Sequence, residues 1–293
     1  MASLLEPTRT TPDPHGRFPV LISYAFARKD EEFFKRFVEH PGIEVLLDSG
    51  AFTALNAGER IELPEYMEFL ERWKDKLFGY LALDVLGDPA GTDRNLETML
   101  RAGLKPIPVH VRGDGASRMD QLFGWSDWVA LGGLRRPHVQ HSSKAYVKQK
   151  MVWAKGRDVH WLGYTNRKMV LAFKPYSIDC SNWAAGARWG DMHFYYGDLR
   201  WGPPRMKCDL STPLNRREVE LFAELELTPA DVRNPRLHRG SDLRRNIPFM
   251  ITAWSWVRYA RDLRARVGTR AFHAVTPFGQ QDLLLEMIDR TTP

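Results

Sequence analysis

The feature that most constrains this chain is a run of short apolar segments alternating with amphipathic ones. Ala, Val, Ile and Leu cluster at 18–24, 43–48, 78–84, 105–111, 127–131, 159–163 and 176–180. Each cluster is too short for a buried helix, and each is bounded by Gly, Pro or Asp, so each is predicted to be a strand. Helical stripes lie between them. Residues 64–76 put Tyr66, Phe69 or Leu70, Trp73 and Leu77 on one face, with Pro64 in the first turn. Residues 93–102 carry Leu96, Met99 and Leu100 and stop at Gly103, and residues 143–155 run from Ser143 to Gly156. Repeated strand–helix units imply a parallel sheet with right-handed crossovers. Seven strands and a candidate eighth at 192–196 (MHFYY) favour a (β/α)8 TIM barrel. A doubly wound sheet usually has a Gly-rich turn after its first strand, and none follows here. From about residue 216 the chain reads as helical, over 216–227, 247–267 and 279–290. The expected organisation is an N-terminal arm (1–17), a barrel (18–215) and a helical extension (216–293).

Composition narrows the class. A length of 293 residues suits one barrel or two domains. The two cysteines, Cys180 and Cys208, exclude a disulfide scaffold and a four-cysteine zinc site. No apolar run approaches the roughly 20 residues of a membrane span, and the first residues hold no apolar signal core. A cytoplasmic protein without membrane contact is therefore expected. Charge is unevenly placed: residues 231–270 hold ten Arg and three Asp with no Lys or Glu, a net +7 in a chain of net +6. Guanidinium groups bind phosphate in a bidentate way, and Trp254, Trp256 and Tyr259 lie in the same stretch. The stretch reads as a phosphate-contacting surface, slightly ahead of a solvated helical face with core aromatics.

In such a barrel the chemistry gathers at the C-terminal ends of the strands. Those ends read Asp48-Ser49-Gly50, Asp84, His110 to Arg112, Gly132-Gly133, Gly163 and Asp179. A single strand-end Asp often caps the next helix. Three of them, beside a Gly-Gly that exposes backbone amides, suggest carboxylate acid–base and nucleophile chemistry, with a glycosidic bond as one candidate substrate.

The same segments carry a resemblance. LLDSGAFTALNAG (46–58), YLALDVLGDP (80–89), WVALGGL (128–134), VHWLGYT (159–165) and YSIDCSNWAAGARWG (176–190) resemble, in order, motifs of the tRNA-guanine transglycosylase superfamily. They are closest to its DpdA-like branch, the phage and bacterial enzymes that place 7-deazaguanines in DNA. The likeness covers roughly residues 20–200. It implies a pentosyltransferase that exchanges guanine in double-stranded DNA for a free 7-deazaguanine, in the cytoplasm or, for a phage enzyme, that of the host. Asp179 matches the nucleophile and Asp48 the general acid/base. Asp84 matches the acceptor for guanine N1–H and the 2-amino group. Gly132, Gly133 and Leu134 match the base-binding loop, and Phe52 and Leu162 match residues that sandwich the base. Ser49 and Gly163 fall in the same base-binding motifs, and His110 stands where the family has an amide that reads the purine edge. The tRNA-acting relatives hold zinc on three Cys and one His. Only Cys208 remains here, with His193 and His238 as conceivable partners, so neither zinc nor another cofactor is expected. The implied DNA contacts are Arg188, Arg236, Arg239, Arg244, Arg245 and Arg258. Base exchange on tRNA, or a carboxylate-pair nucleoside or glycoside hydrolase, are the alternative readings.

Overall fold

The computed structural model describes residues 16–134, 140–184, 191–200, 202–203, 205–207, 214–234, 246–277 and 281–291. The chain divides into two compact units. One runs to Cys180 and takes in Leu263–Thr276; the other comprises Ser181–Asp262 and the residues from Pro277. These units differ from a division at residue 215.

The first unit is an α/β fold. Its strands are β1 (Phe18–Ser23), β2 (Ile43–Asp48), β3 (Gly79–Tyr80), β4 (Val109–His110), β5 (Trp128–Leu131), β6 (Asp158–Trp161), β7 (Ser177–Cys180) and β10 (Arg270–Val275). They form one eight-stranded sheet in the order β3-β2-β1-β10-β7-β6-β5-β4, and every pairing is parallel. The helices between them are α1 (Tyr24–Ala27), α2 (Glu31–Val38), α3 (Ala51–Asn56), α4 (Leu63–Trp73), α5 (Pro89–Arg101), α6 (Ala116–Leu122), α7 (Gln140–Ala154) and α8 (Arg167–Phe173). Local sequence starts several of them. Asp30 caps α2 by accepting from Phe33 N at 2.9 Å, and Asp88 caps α5 from Gly91 N at 2.9 Å, with Pro89 at its first position. The buried face of α4 is Tyr66, Phe69 and Leu70, the stripe its spacing predicts.

One apolar cluster, Leu21, Leu46, Leu81, Ile107, Val109, Ala130 and Phe272, joins five of the strands with Leu81 and Ile107 beside them. Gly79 makes this packing possible, since a Cβ there would meet Ile107 Cδ1 at 3.0 Å and Trp128 Cζ3 at 3.1 Å. Glu44, on β2, is buried between Arg264 (3.0 Å) and Arg270 (3.3 Å). Burial pushes its carboxyl pKa up against the pull of those two cations.

The eighth strand is a correction. The segment predicted for it, 192–196, supplies only part of β8 (Asp191–His193), which pairs antiparallel with β9 (Arg205–Lys207) in the second unit. The sheet is completed instead by β10, from a tail read as helical. β10 lies between β1 and β7, with Phe272 opposite Asp179. Ala271, Phe272, His273 and Val275 are all buried, as in a strand covered on both faces, and Phe272 joins the apolar cluster.

The second unit contains α9 (Arg216–Ala223), α10 (Pro229–Val232), most of α11 (Ile247–Val267) and α12 (Gln281–Arg290). Trp254, Trp256 and Tyr259 are buried there. Phe194 stacks edge-on against Phe222 at 5.2 Å, and Tyr195 against Tyr259 at 5.4 Å. These aromatics are core, which corrects their reading as part of a nucleic-acid surface. Among the described residues no helix is long and apolar enough to cross a membrane.

Candidate active site

Because the sheet is parallel, residues at the C-terminal ends of its strands share one side. Asp48 ends β2, Asp84 follows β3 by four residues, and Asp179 lies near the end of β7. Burial, then the charges of Asp84 and Asp179, push the Asp48 carboxyl from 3.8 to about 7. Asp48 thus feels the charges of both other carboxylates. Burial also raises Asp84.

Each carboxylate is held by its own partners. Asp48 Oδ2 accepts from Gly50 N at 3.1 Å, and Ser49 Oγ donates to Asp84 Oδ1 at 2.9 Å, so one turn ties two of the acids together. That turn requires glycine: Gly50 has φ +79, and a Cβ would sit 2.6 Å from Ala25 N. Asp84's loop is fixed by α5, where Asn95 Nδ2 donates to Leu83 O (3.0 Å) and Thr92 Oγ1 accepts from Val85 N (2.9 Å). Asp179 Oδ1 accepts from Gly163 N at 2.6 Å and lies 3.2 Å from His160 Nε2. His160 Nδ1 is 2.8 Å from Ser177 Oγ. A ring that donates from Nε2 to Asp179 accepts the Ser177 hydroxyl at Nδ1, so His160 and Ser177 form a fully buried pair behind a carboxylate that is 13% exposed.

Neither His160 nor Ser177 is singled out by the sequence motifs. The signal is strand register: His160 pairs with Ser177 across β6–β7, and Ser177 shares the face of Asp179 two residues on.

The other expected residues are distributed as follows. Gly132 and Gly133 sit at the end of β5, where Gly132 N donates to His110 O (3.0 Å) and Arg112 Nη1 donates to Gly133 O (3.4 Å). Gly133 has φ +71 and leaves only 3.0 Å between a Cβ and the Cβ of Arg112. Leu134 is buried, and its carbonyl accepts from Ser143 Oγ at 3.2 Å. Leu162 packs against the apolar cluster, while Phe52 is 59% exposed. His110 is fully buried, with Nε2 3.4 Å from Gly115 O. Burial, reinforced by Lys150, lowers its pKa, so it is a neutral imidazole.

The basic stretch is partly accounted for by internal contacts. Arg264 and Arg270 serve Glu44. Arg261 donates to Thr291 Oγ1 (3.0 Å) and Ile288 O (3.3 Å). Arg258 pairs with Glu224 at 3.3 Å and stacks 4.5 Å over Trp254. Arg188, Arg236, Arg239, Arg244 and Arg245 lie outside the described residues, as do Cys208 and His238. His193 Nδ1 accepts from Trp256 Nε1 at 2.9 Å. Among the described residues no His, Cys, Asp and Glu group is arranged to hold a metal. No protein family, curated protein or solved structure matches the chain.

Proposed function

We propose that the chain is a base-exchange transglycosylase acting on guanine in DNA, built on a closed (β/α)8 barrel and related to the tRNA-guanine transglycosylase superfamily. The Leu81–Ile107 bridge, with Ile107 N donating to Tyr80 O at 2.8 Å, joins the chain beside β3 to that beside β4 and supports closure. The function is carried by one observation: three carboxylates at strand ends, with Asp48 raised by burial and by the charges of Asp84 and Asp179, and Asp179 held by a backbone amide and a buried histidine.

In this reading the Asp179 carboxylate attacks C1′ of the target deoxyguanosine. The C1′–N9 bond breaks, and its electron pair leaves with guanine. Asp48, with a pKa of about 7, is populated in both forms near neutrality. Its neutral acid protonates the departing base, and the carboxylate so produced takes the N9 proton from an incoming 7-deazaguanine. That nitrogen then attacks C1′ and releases Asp179, and two inversions retain configuration. Asp84 accepts the N1–H and 2-amino protons of the bound base, because two adjacent donors suit one carboxylate. The hydrogen bonds from Gly163 and His160 aim Asp179. None of these steps requires a metal or redox group.

Asp179→Asn tests the assignment. Wild-type protein with guanine-containing DNA should give a band on denaturing gels in which DNA is covalently attached to protein, and the variant should give none. Base exchange by the variant at the wild-type rate would refute the nucleophile.

A further inference from the structure

The two helices that flank β6 carry positive charge that the fold does not use. Residues 140–174, which span α7, β6 and α8, hold six Lys and two Arg against a single Asp, a net +7 in a chain of net +6. Some of these cations have internal roles. Lys150 is buried, donates to Asp114 O at 2.7 Å and lies 3.8 Å over the Trp153 ring. Lys155 and Arg157 share Asp120, at 3.7 and 2.5 Å. Lys174 follows the end of α8, where a cation complements the helix dipole. Lys144, Lys148 and Lys168 differ. All three are exposed, and among the described residues none has an acidic partner. Helix chemistry does not favour them where they stand. Lys144 and Lys148 lie one turn apart, so like charges adjoin on a helix of 15 residues that holds no acid. Lys168 is the second residue of α8, at the end where carboxylates are preferred. Their place in the fold is informative. α7 follows β5 and α8 follows β6, so both helices lead off from the strand ends that carry the candidate site. Lys168 comes shortly after Gly163, whose amide grips Asp179.

We propose that Lys144, Lys148 and Lys168 form a surface on α7 and α8 that holds the phosphate backbone of duplex DNA. The need for a polyanion rests on the charge itself, and the choice of DNA rests on the base-exchange reading above. Phosphates relieve the repulsion between adjoining lysines, and each contact releases counterions from the DNA. Ammonium groups on flexible stems follow a backbone without reading its bases. The surface is separate from the arginine-rich stretch at 231–270, where Arg264 and Arg270 serve Glu44.

The test uses the triple variant Lys144→Gln, Lys148→Gln, Lys168→Gln. All three side chains are exposed, so the substitutions leave the core intact. A control variant, Lys35→Gln, Arg101→Gln, Lys105→Gln, removes the same charge from exposed positions on α2, on α5 and in the turn after it. Fluorescence anisotropy with a labelled DNA duplex measures the affinity of each protein over a series of salt concentrations. The slope of log K against log salt should flatten by about two to three units in the triple variant, at about 0.9 per lost phosphate contact, and by less than about one in the control. The loss of affinity should be the same on duplexes of different sequence. An unchanged slope, or an equal change in the control, overturns the surface. Wild-type protein that binds tRNA through these lysines and does not bind duplex DNA also overturns it. Exchange of labelled guanine is followed in parallel. Wild-type protein that binds the duplex through the lysines but exchanges no guanine overturns the base-exchange reading and leaves the surface standing. An unchanged slope beside normal exchange overturns the surface and leaves base exchange standing.

Discussion

Asp48→Asn is the perturbation whose size follows most directly from the geometry. Asp48 has its folded-state pKa raised from 3.8 to about 7 by burial and by Asp84 and Asp179. A carboxyl raised in this way is a burden that appears as pH rises. The unfolded chain releases its proton near pH 4 while the folded chain keeps it until about 7, so stability falls across that window. At about 1.4 kcal/mol per pKa unit, the burden approaches roughly 4 kcal/mol above the folded pKa. Some of it is already present near pH 5, which leaves about 3 kcal/mol to appear between about pH 5 and pH 8.5. Asparagine keeps the shape, and its Oδ1 can accept from Gly50 N as Oδ2 does now, but it does not titrate. Urea unfolding of both proteins at the two pH values measures the effect. The variant should gain stability over wild type as pH rises, by a few kcal/mol. A difference that stays flat would refute the claim that burial and the neighbouring carboxylates raise Asp48.

Three further outcomes follow from particular contacts. Gly50→Ala should cost more than about 1 kcal/mol in denaturant unfolding, because φ +79 is strained for alanine and the Cβ would meet Ala25 N at 2.6 Å. Glu44→Leu should cost several kcal/mol, on the order of 3–5, by leaving Arg264 and Arg270 buried without their anion; thermal unfolding reads this. His160→Leu should slow base exchange by up to about a hundredfold through misplacement of Asp179. Unfolding should still be cooperative, and His160→Gln, which keeps a donor, should recover part of the rate.

Much of the first unit is legible in the sequence because a strand's apolar run is bounded by turn residues and the amphipathic helices are marked by caps. β1 and β2 start and end within a residue of the apolar runs that predict them. The aspartates at the strand ends are legible for the same reason: a polar residue closing an apolar run in a parallel sheet faces one side. β10 was hidden because six residues after a long helical segment read as part of a helical tail, and its place between β1 and β7 depends on pairings across the chain. The aromatic run at 192–196 looks like a strand because aromatics favour both strands and cores, and here Phe194 and Tyr195 are core. His160 was missed because an imidazole inside an apolar strand reads as packing until register sets it against Ser177 and Asp179. The internal roles of Arg264 and Arg270 in the stretch 231–270 are not legible, because Glu44, the partner of both, lies more than two hundred residues away.

The central claim is guanine exchange in DNA through Asp179. Radiolabelled guanine incubated with the protein and duplex DNA, followed by digestion to nucleosides, tests it most directly. The account predicts label in deoxyguanosine, dependent on Asp179 and lost in Asp179→Asn. Label that stays in the free base, or release of guanine without incorporation, would contradict it.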